Sequence, residues 1–195
     1  MREAVINRQT RETDIALALV LEGTGETSIA TGVAFFDHML DAIGRHGLFD
    51  LAVRATGDLA VDAHHTVEDV GIVLGCALSQ CLGDRAGIAR YGDALVPMDE
   101  ALVLAAVDIS GRGQLHWDVA LPIEFIGNFD TSLFKEFLIA FASNAGLTLH
   151  VRSLAGENAH HLIEAAAKAV ARALSTAVAL DARVGTRVPS TKGTI

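Results

Sequence analysis

Two kinds of hydrophobic spacing divide the chain into strands and helices. Alternating apolar and polar residues predict β-strands, whereas apolar residues at every third or fourth position predict helices. Strands are predicted at residues 3–8, 13–21, 49–55, 101–109, 115–120 and 147–152. Helices are predicted at residues 36–45, 63–83, 131–144 and 158–179. Because both kinds of element recur along the whole length, the pattern indicates an α+β protein.

An internal repeat is visible in two histidine-rich segments. HHTVEDVGIVLGCAL begins at His64, and HHLIEAAAKAVARAL begins 96 residues later at His160. Residues 36–40 match 134–138, and 48–58 match 147–157, at nearly the same spacing. Each half then has the order strand–strand–strand–helix–strand–helix. We therefore expect one domain over 1–195, built as a layered pseudo-twofold pair of fused halves (about 1–85 and 86–185) and followed by a C-terminal tail.

Composition narrows the class of protein. The chain has 195 residues, a formal net charge of −9 and 51% hydrophobic residues, which is ample apolar material for a packed core. An acidic chain is a poor partner for nucleic acid. No apolar run is long enough to span a membrane, and the N-terminus lacks the features of a secretory signal. We expect a cytoplasmic protein that binds neither nucleic acid nor membrane.

The two HHxxE motifs have the spacing of paired metal sites. Residues four apart share one face of a helix, whereas adjacent residues diverge by about 100°. His64 and Glu68 can therefore bind one ion while His65 reaches another. The same reasoning applies to the second motif, in which His160 and Glu164 form the pair and His161 points elsewhere.

The repeat supplies one further candidate ligand for each site. His38 and Glu136 occupy matching positions in the two halves. Imidazole and carboxylate ligands without thiolate favour manganese, iron or zinc, and three or four protein ligands leave positions open for catalysis. The alternative is that the histidines only cap helices and pair with nearby acidic residues. The duplication of the motif argues against this alternative.

Three other histidines have less specific contexts. His116 follows a Gly-Arg-Gly loop in a strand pattern, where an ordinary strand residue is the simpler interpretation. His150 lies in the strand LTLHV, and both a structural and a functional role stay open. His46 lies in the turn-like segment GRHGLFD, where a polar side chain is more often functional.

Several cationic and hydroxyl side chains could hold a phosphate group. Arg90 and Arg112 lie in loops punctuated by glycine, and an arginine fork matches phosphate oxygens in pairs. Each arginine alone would be read as a surface residue. Other groups of suitable chemistry are Lys168, Ser190, Thr191 and Lys192.

Taken together, these motifs resemble the imidazoleglycerol-phosphate dehydratase family of histidine biosynthesis. The resemblance covers nearly the whole chain, and spacing and order agree as well. The stretches that carry it are TRETDIALALVLEGTG, FFDHMLDAIGRHGLFDL, DAHHTVEDVGI, RAGIARYGD, PMDEAL, DISGRG, LTLHVRSLAGENAHHLIEAAAKAVARAL and PSTKG. We expect the single-function form, without a fused haloacid-type phosphatase segment.

The resemblance implies a fold, an assembly and a set of site residues. The fold would be similar to the duplicated α+β domains of ribosomal proteins, and 24 subunits would form a shell with manganese and active sites between subunits. Two Mn²⁺ ions per subunit would be held by His38, His64, His65, Glu68, Glu136, His160, His161 and Glu164. The position of Glu136 is commonly histidine in the family, so this chain departs from the pattern there. Substrate contacts would include Glu12, His38, His46, His64, Arg90, Arg112, His160, Lys168, Ser190, Thr191 and Lys192.

The implied reaction is the dehydration of imidazole-glycerol phosphate to imidazole-acetol phosphate by a hydro-lyase. As a hypothesis, the substrate ring loses its N–H proton between two metal ions and becomes an imidazolate that expels the side-chain hydroxide. Glu12, assisted by His46, is the candidate for proton transfer, and Glu68 and Glu164 belong to the catalytic set through the metals. Two rivals use the same residues: a two-metal phosphate-ester hydrolase, and a non-catalytic, metal-dependent shell protein.

Overall fold

The computed structural model describes residues 1–195 and contains ten strands and four helices. The first half of the chain has the elements β1 (Glu3–Gln9), β2 (Thr13–Val20), β3 (Thr27–Ala30), α1 (Ala34–Gly47), β4 (Asp50–Gly57) and α2 (His64–Leu82). The second half has β5 (Tyr91–Met98), β6 (Ala101–Asp108), β7 (Gln114–Asp118), β8 (Phe125–Ile126), β9 (Phe129–Asp130), α3 (Ser132–Ala145), β10 (Thr148–Ala155) and α4 (Ala159–Val178).

The two large sheets have the same topology. The first has the strand order β1-β2-β4-β3, and the second has the order β5-β6-β10-β7. In each sheet the last strand runs parallel to its neighbour, whereas the other neighbours are antiparallel. The duplicated α+β fold expected from the repeat is therefore confirmed.

The helices lie between the two sheets. Helices α1 and α2 pack on the first sheet and α3 and α4 on the second. Across the middle, α1 packs against α4 and α2 against α3. A single hydrophobic core joins the inner faces of both sheets to all four helices. None of the helices combines the length and apolar character needed to cross a membrane.

Close contacts between elements depend on glycine at two places in α2. A Cβ atom at Gly71 would lie 2.6 Å from the carbonyl oxygen of Phe137, and one at Gly75 would lie 2.7 Å from that of Phe141. Since both partners advance together along the chain, α2 and α3 run parallel with their backbones in contact. The N-terminal turns of the two helices therefore lie at the same end of the layer.

The predicted helices and six strands are present within a few residues of the expected bounds, but two strands of the large sheets were missed. Strand β3 has four residues at the edge of its sheet, too short for a clear alternation. Strand β5 contains Gly92 and Pro97, which lower strand propensity. Pro97 is tolerated because β5 is an edge strand, and Gly92 is required where the backbone of α4 at Ala173 approaches it closely.

Candidate functional site

Three metal-type ligands from α1 and α4 converge at one end of the helix layer. His38 Nε2 lies 3.0 Å from Glu164 Oε2, and His160 Nε2 lies 3.1 Å from the same oxygen. One ligand atom from each of the three side chains lies within 4.8 Å of the other two. The i, i+4 spacing of His160 and Glu164 on α4 thus has the geometry that the sequence suggested. This group is called the α1–α4 triad below.

The carboxylate of the α1–α4 triad is held in its ionised form. Burial of Glu164 opposes ionisation, but hydrogen bonds from Lys168 and His38 outweigh it and lower the pKa of Glu164 to about 2. Lys168 Nζ lies 2.7 Å from Glu164 Oε1, one helical turn further along α4. Lys168 therefore borders the triad, as expected from its position after Glu164.

A second group occupies the equivalent ends of α2 and α3. His64 Nε2 lies 3.7 Å from Glu68 Oε2 on the same face of α2. Glu136 is in the N-terminal part of α3, which runs parallel to α2 in close contact. In this single chain the three side chains are not drawn together as tightly as the α1–α4 triad. This group is called the α2–α3 triad below.

Each triad combines one helix from each half of the chain. His38 comes from the first half and His160 and Glu164 from the second, whereas Glu136 comes from the second half and His64 and Glu68 from the first. The sequence repeat gave the six residues but not this crossed arrangement, which follows from the packing of α1 on α4 and of α2 on α3.

The second histidine of each motif turns away from its neighbour and is held by a carboxylate. The rings of His64 and His65 are inclined by 83°, and those of His160 and His161 by 79°, and His161 is not part of the α1–α4 triad. Asp58 lies 3.0 Å from His65 Nδ1, and Glu100 lies 2.7 Å from His161 Nδ1.

These carboxylates shift the pKa values of both rings. The hydrogen bond with Asp58 raises the pKa of His65, and the hydrogen bond with Glu100 raises that of His161. The His161 hydrogen bond, followed by the backbone amide of Asn158, lowers the pKa of Glu100 to about 2. With Nδ1 engaged, Nε2 is the nitrogen left to bind a ligand, as in carboxylate–histidine–metal arrangements.

Sequence reasoning missed Asp58 and Glu100. Glu100 lies 88 residues after Glu12, which is the offset of strands β1 and β2 from β5 and β6, so the repeat could have revealed it. Asp58 matches Glu157 in the repeat, but it lies in the loop between β4 and α2, where a polar residue is ordinary and gives no functional signal.

Glu12 lies in the turn between β1 and β2, beside His65. Its Oε1 is 3.9 Å from His65 Nε2, and its side chain is 55% exposed. The backbone carbonyl of Glu12 accepts a hydrogen bond from the amide of Asp58, which ties the turn to the segment that holds His65. The carboxylate itself makes no hydrogen bond within the chain and is free to act on a bound molecule.

His46 belongs to a basic surface region near Lys168. It lines a cavity at the ends of α1 and α4 together with Leu48, Asp93 and Arg172. Burial first, and then the positive charges of Lys168 and Arg172, lower the pKa of His46. The neutral imidazole is therefore favoured, so that it can accept a proton or a hydrogen bond.

The structure brings Arg90 together with the C-terminal tail. Arg90 Nε donates to Asp108 at 2.8 Å, and Nη1 donates to the carbonyl of Pro189 at 2.9 Å. This contact places Ser190, the first of the expected tail residues, next to the Arg90 loop. Thr191 and Lys192 follow it and are exposed.

Arg112 is exposed in the turn between β6 and β7 and donates to the carbonyl of Ser110. His116 and His150 lie elsewhere, on adjacent strands β7 and β10, as exposed rings stacked with centroids 4.2 Å apart. They are paired directly across the sheet and join neither triad.

The α1–α4 triad fits a divalent transition metal on its donor chemistry. Two imidazoles and an ionised carboxylate, with ligand atoms mutually within 4.8 Å, match the nitrogen and oxygen ligands used for manganese, iron or zinc. All eight candidate ligands lie near helix N-termini, whose positive dipole disfavours a cation. The glutamates among them offset that effect.

Comparisons with known proteins identify the family of this chain. The sequence model of the family described as imidazoleglycerol-phosphate dehydratase matches residues 31–174, a range that contains both triads. An imidazoleglycerol-phosphate dehydratase of Dinoroseobacter shibae is 58% identical over 195 residues and covers 100% of both chains. One from Granulibacter bethesdensis is also 58% identical, over 194 residues, with 100% of this chain and 99% of that one covered.

Two solved structures have the same fold. The imidazoleglycerol-phosphate dehydratase of Staphylococcus aureus superposes with a TM-score of 0.84 at 37% identity, covering 92% of this chain and 99% of that one. The Pyrococcus furiosus protein, solved in complex with (S)-C348, gives a TM-score of 0.84 at 39% identity, with 97% and 100% covered. Since the similarity extends over the whole fold and over every helix that carries a triad residue, this chain belongs to the imidazoleglycerol-phosphate dehydratase family.

Proposed function

We propose that this hydro-lyase converts imidazole-glycerol phosphate to imidazole-acetol phosphate in histidine biosynthesis, at manganese sites completed by contact between copies of the chain. The observation that carries the proposal is the pair of incomplete triads beside two outward histidines. Each triad offers three ligands, and each outward histidine offers an Nε2 atom that its own triads do not use.

In this proposal, one chain alone does not bring enough ligands together to complete its metal sites. His65 and His161 are not among the ligand atoms that cluster in the α1–α4 triad. A fourth ligand for each triad would be the outward histidine of another copy. Two Mn²⁺ ions per chain would then use His38, His64, His65, Glu68, Glu136, His160, His161 and Glu164. A closed assembly such as the 24-subunit shell satisfies every triad at once.

Bound manganese would supply Lewis acidity that makes the substrate's imidazole N–H easier to ionise. The reaction removes the hydroxyl next to the ring and a proton from the neighbouring carbon, and the resulting enol becomes the ketone. One group must therefore accept a proton and one must protonate the departing hydroxyl. Glu12, with a free carboxylate, is proposed to accept the proton from carbon. His46, held neutral, would first accept the proton that the imidazole N–H loses and then give it to the departing hydroxyl. The proton on Glu12 would return to the substrate ring, so that water is the only molecule released.

The phosphate end of the substrate would be held by cationic groups. Arg112 and Lys192 are exposed, and Lys168 borders Glu164. Arg90 holds the tail through Pro189 and so positions Ser190 and Thr191. Fixing the phosphate orients the glycerol chain toward Glu12, which contributes to catalysis by lowering the entropy that must be lost in the transition state.

The experiment that tests this proposal is a manganese titration of metal-free protein, with particle size and ketone formation followed on the same samples. About two Mn²⁺ per chain should restore both a large particle and turnover. Glu68→Gln should lose both, whereas Glu3→Gln, an exposed substitution on β1, should lose neither.

The same assay separates the rival functions. Release of inorganic phosphate without ketone would identify a two-metal hydrolase that uses the ligand set to activate water. Recovery of particle size without any turnover would identify a metal-dependent shell protein. A fully active and assembled Glu68→Gln variant would remove Glu68 from the ligand set.

A further inference from the structure

A buried polar cluster lies beneath the turn that carries Glu12. The carboxylate of Asp69, on α2, lies 2.5 Å from the guanidinium of Arg8 on β1 and accepts a 2.5 Å hydrogen bond from the hydroxyl of Thr13 on β2. The side chain of Asp69 is only 10% exposed. A charge in such a place is costly to bury and needs its partners to persist.

The cluster connects directly to the turn that follows β1. The Thr10 hydroxyl is 3.2 Å from the hydroxyl of Thr13 and accepts hydrogen bonds from the amides of Glu12, at 3.1 Å, and Thr13, at 3.0 Å. Arg8 and Thr13 therefore bracket the turn, and Asp69 holds both of them to α2. Glu12 is the last residue of this loop, directly before Thr13, and the loop is fixed at each end.

The second half of the chain lacks this cluster altogether. At the equivalent positions it has Val96, Ala101 and Ala165, all buried and apolar. The fold itself therefore does not require an ion pair at this point. The two halves also differ in how the glutamate of the turn is held. Glu100, the counterpart of Glu12, accepts hydrogen bonds from His161 and from the amides of Glu157 and Asn158.

We propose that Asp69, with Arg8 and Thr13, is a positioning group that holds the β1–β2 turn so that the carboxylate of Glu12 is fixed in place without being bound by other side chains. Glu100 is anchored by its own hydrogen bonds, and its turn needs no further support. Glu12 must stay free for proton transfer, so its turn is anchored from below instead. This inference rests on the proposed role of Glu12.

The informative variant copies the second half of the molecule into the first. Arg8→Val, Thr13→Ala and Asp69→Ala are combined, because removing Asp69 alone would leave the Arg8 guanidinium without its counter-charge. We expect manganese content and particle size like those of the parent protein, kcat at least about tenfold lower, and KM changed by less than about threefold. Arg152→Val with Asp118→Ala removes an exposed ion pair of the second sheet and should leave kcat unchanged.

A double-mutant cycle with Glu12→Gln separates positioning from general stability. Glu12→Gln should lower kcat by about 100-fold or more, and adding the triple substitution should lower it by no more than about twofold further. Equal losses in both backgrounds, or a triple variant with normal kcat, would overturn the inference while leaving the role of Glu12 intact. A fully active Glu12→Gln variant would instead refute the proposed proton transfer, and the inference with it.

If the triple variant does not fold, a single milder substitution tests the same inference. Thr13→Val removes the hydrogen bond to Asp69 but keeps the ion pair with Arg8. We expect a loss of kcat of about threefold that disappears in the Glu12→Gln background. A loss that persists there would show that Thr13 acts only through folding stability.

Discussion

Glu100 accepts a 2.7 Å hydrogen bond from Nδ1 of His161 and also accepts hydrogen bonds from the backbone amides of Glu157 and Asn158 at the start of α4. The orientation of the ring is thus tied to the helix that carries the other ligands of the same motif. In the proposed assembly, a small shift of Glu100 would move His161 Nε2 away from an ion held by the triad of another copy.

Glu100→Ala should therefore weaken metal binding without removing a metal ligand. Loss of such a supporting carboxylate typically costs 10- to 100-fold in affinity, because the ring loses its fixed orientation and part of its basicity. The measurement is a manganese titration followed by calorimetry or by electron paramagnetic resonance. Glu157→Ala, an exposed change in the same segment, is the control, and equal affinities in the two variants would contradict the prediction.

The pKa of Glu164 leads to a prediction about acid stability. Its pKa in the folded chain is about 2, below the ordinary value of 4.5. The ionised carboxylate thus stabilises the native state above about pH 4.5, and this contribution is lost as the pH falls toward 2. Lys168→Met, measured on metal-free protein, should cost on the order of 1–3 kcal/mol at pH 7 and progressively less on acidification.

The control for this experiment is Lys135→Met, because Lys135 is exposed on α3. Thermal unfolding from pH 7 to about pH 2 should show a gap for Lys168→Met that narrows as the pH approaches 2, and almost no gap for Lys135→Met. A gap that stays constant with pH would mean that Lys168 stabilises the fold through packing rather than through the Glu164 carboxylate.

Glu136→His should change the metal preference of the α2–α3 triad. A carboxylate oxygen suits manganese, whereas an imidazole shifts a site toward zinc and other metals later in the first transition row. Competitive loading with equal manganese and zinc, read by elemental analysis, should show roughly a tenfold shift toward zinc. Lys135→His places the same ring next door on the exposed side of α3, and an identical shift there would exclude Glu136 from the site.

Gly75→Ala should separate α2 from α3. The added Cβ would lie 2.7 Å from both the Phe141 carbonyl oxygen and the Asn144 Cβ. Such overpacking costs about 1–3 kcal/mol, against which the higher helix propensity of alanine returns up to about 1 kcal/mol. Urea unfolding measures the net loss, and metal titration should show weaker binding at the α2–α3 triad. Gln80→Ala, on the exposed side of α2, should leave both unchanged.

The fold was largely accessible from sequence because most elements have one buried and one exposed face. Strand β2, for example, alternates perfectly between buried and less buried positions. Helix α4 is the exception, because it is buried on nearly all sides and only Arg172 and Thr176 are exposed along it. Strand β5 was missed because its Gly92 and Pro97 serve a close helix contact and a sheet edge, and such tertiary requirements leave no periodic signal.

The residue types of the site could be predicted from the sequence, but which of these residues lie together could not. The duplicated HHxxE motifs indicated two metal sites, because helical spacing alone pairs His64 with Glu68 and His160 with Glu164. The crossing of the halves depends on which helices pack together, and no local pattern encodes that choice. Asp58 and Glu100 act through hydrogen bonds from loops, which become visible only in three dimensions.

The crossed pairing also has a consequence for the order of events during synthesis. His38 and Glu164 are separated by 126 residues along the chain, and α4 is the last helix. The α1–α4 triad cannot exist until α4 has left the ribosome and docked, so a nascent chain that ends before α4 lacks two of its three ligands. Any ion that this site takes up can therefore be bound only after α4 has been made, and a shorter nascent chain cannot sequester metal there prematurely.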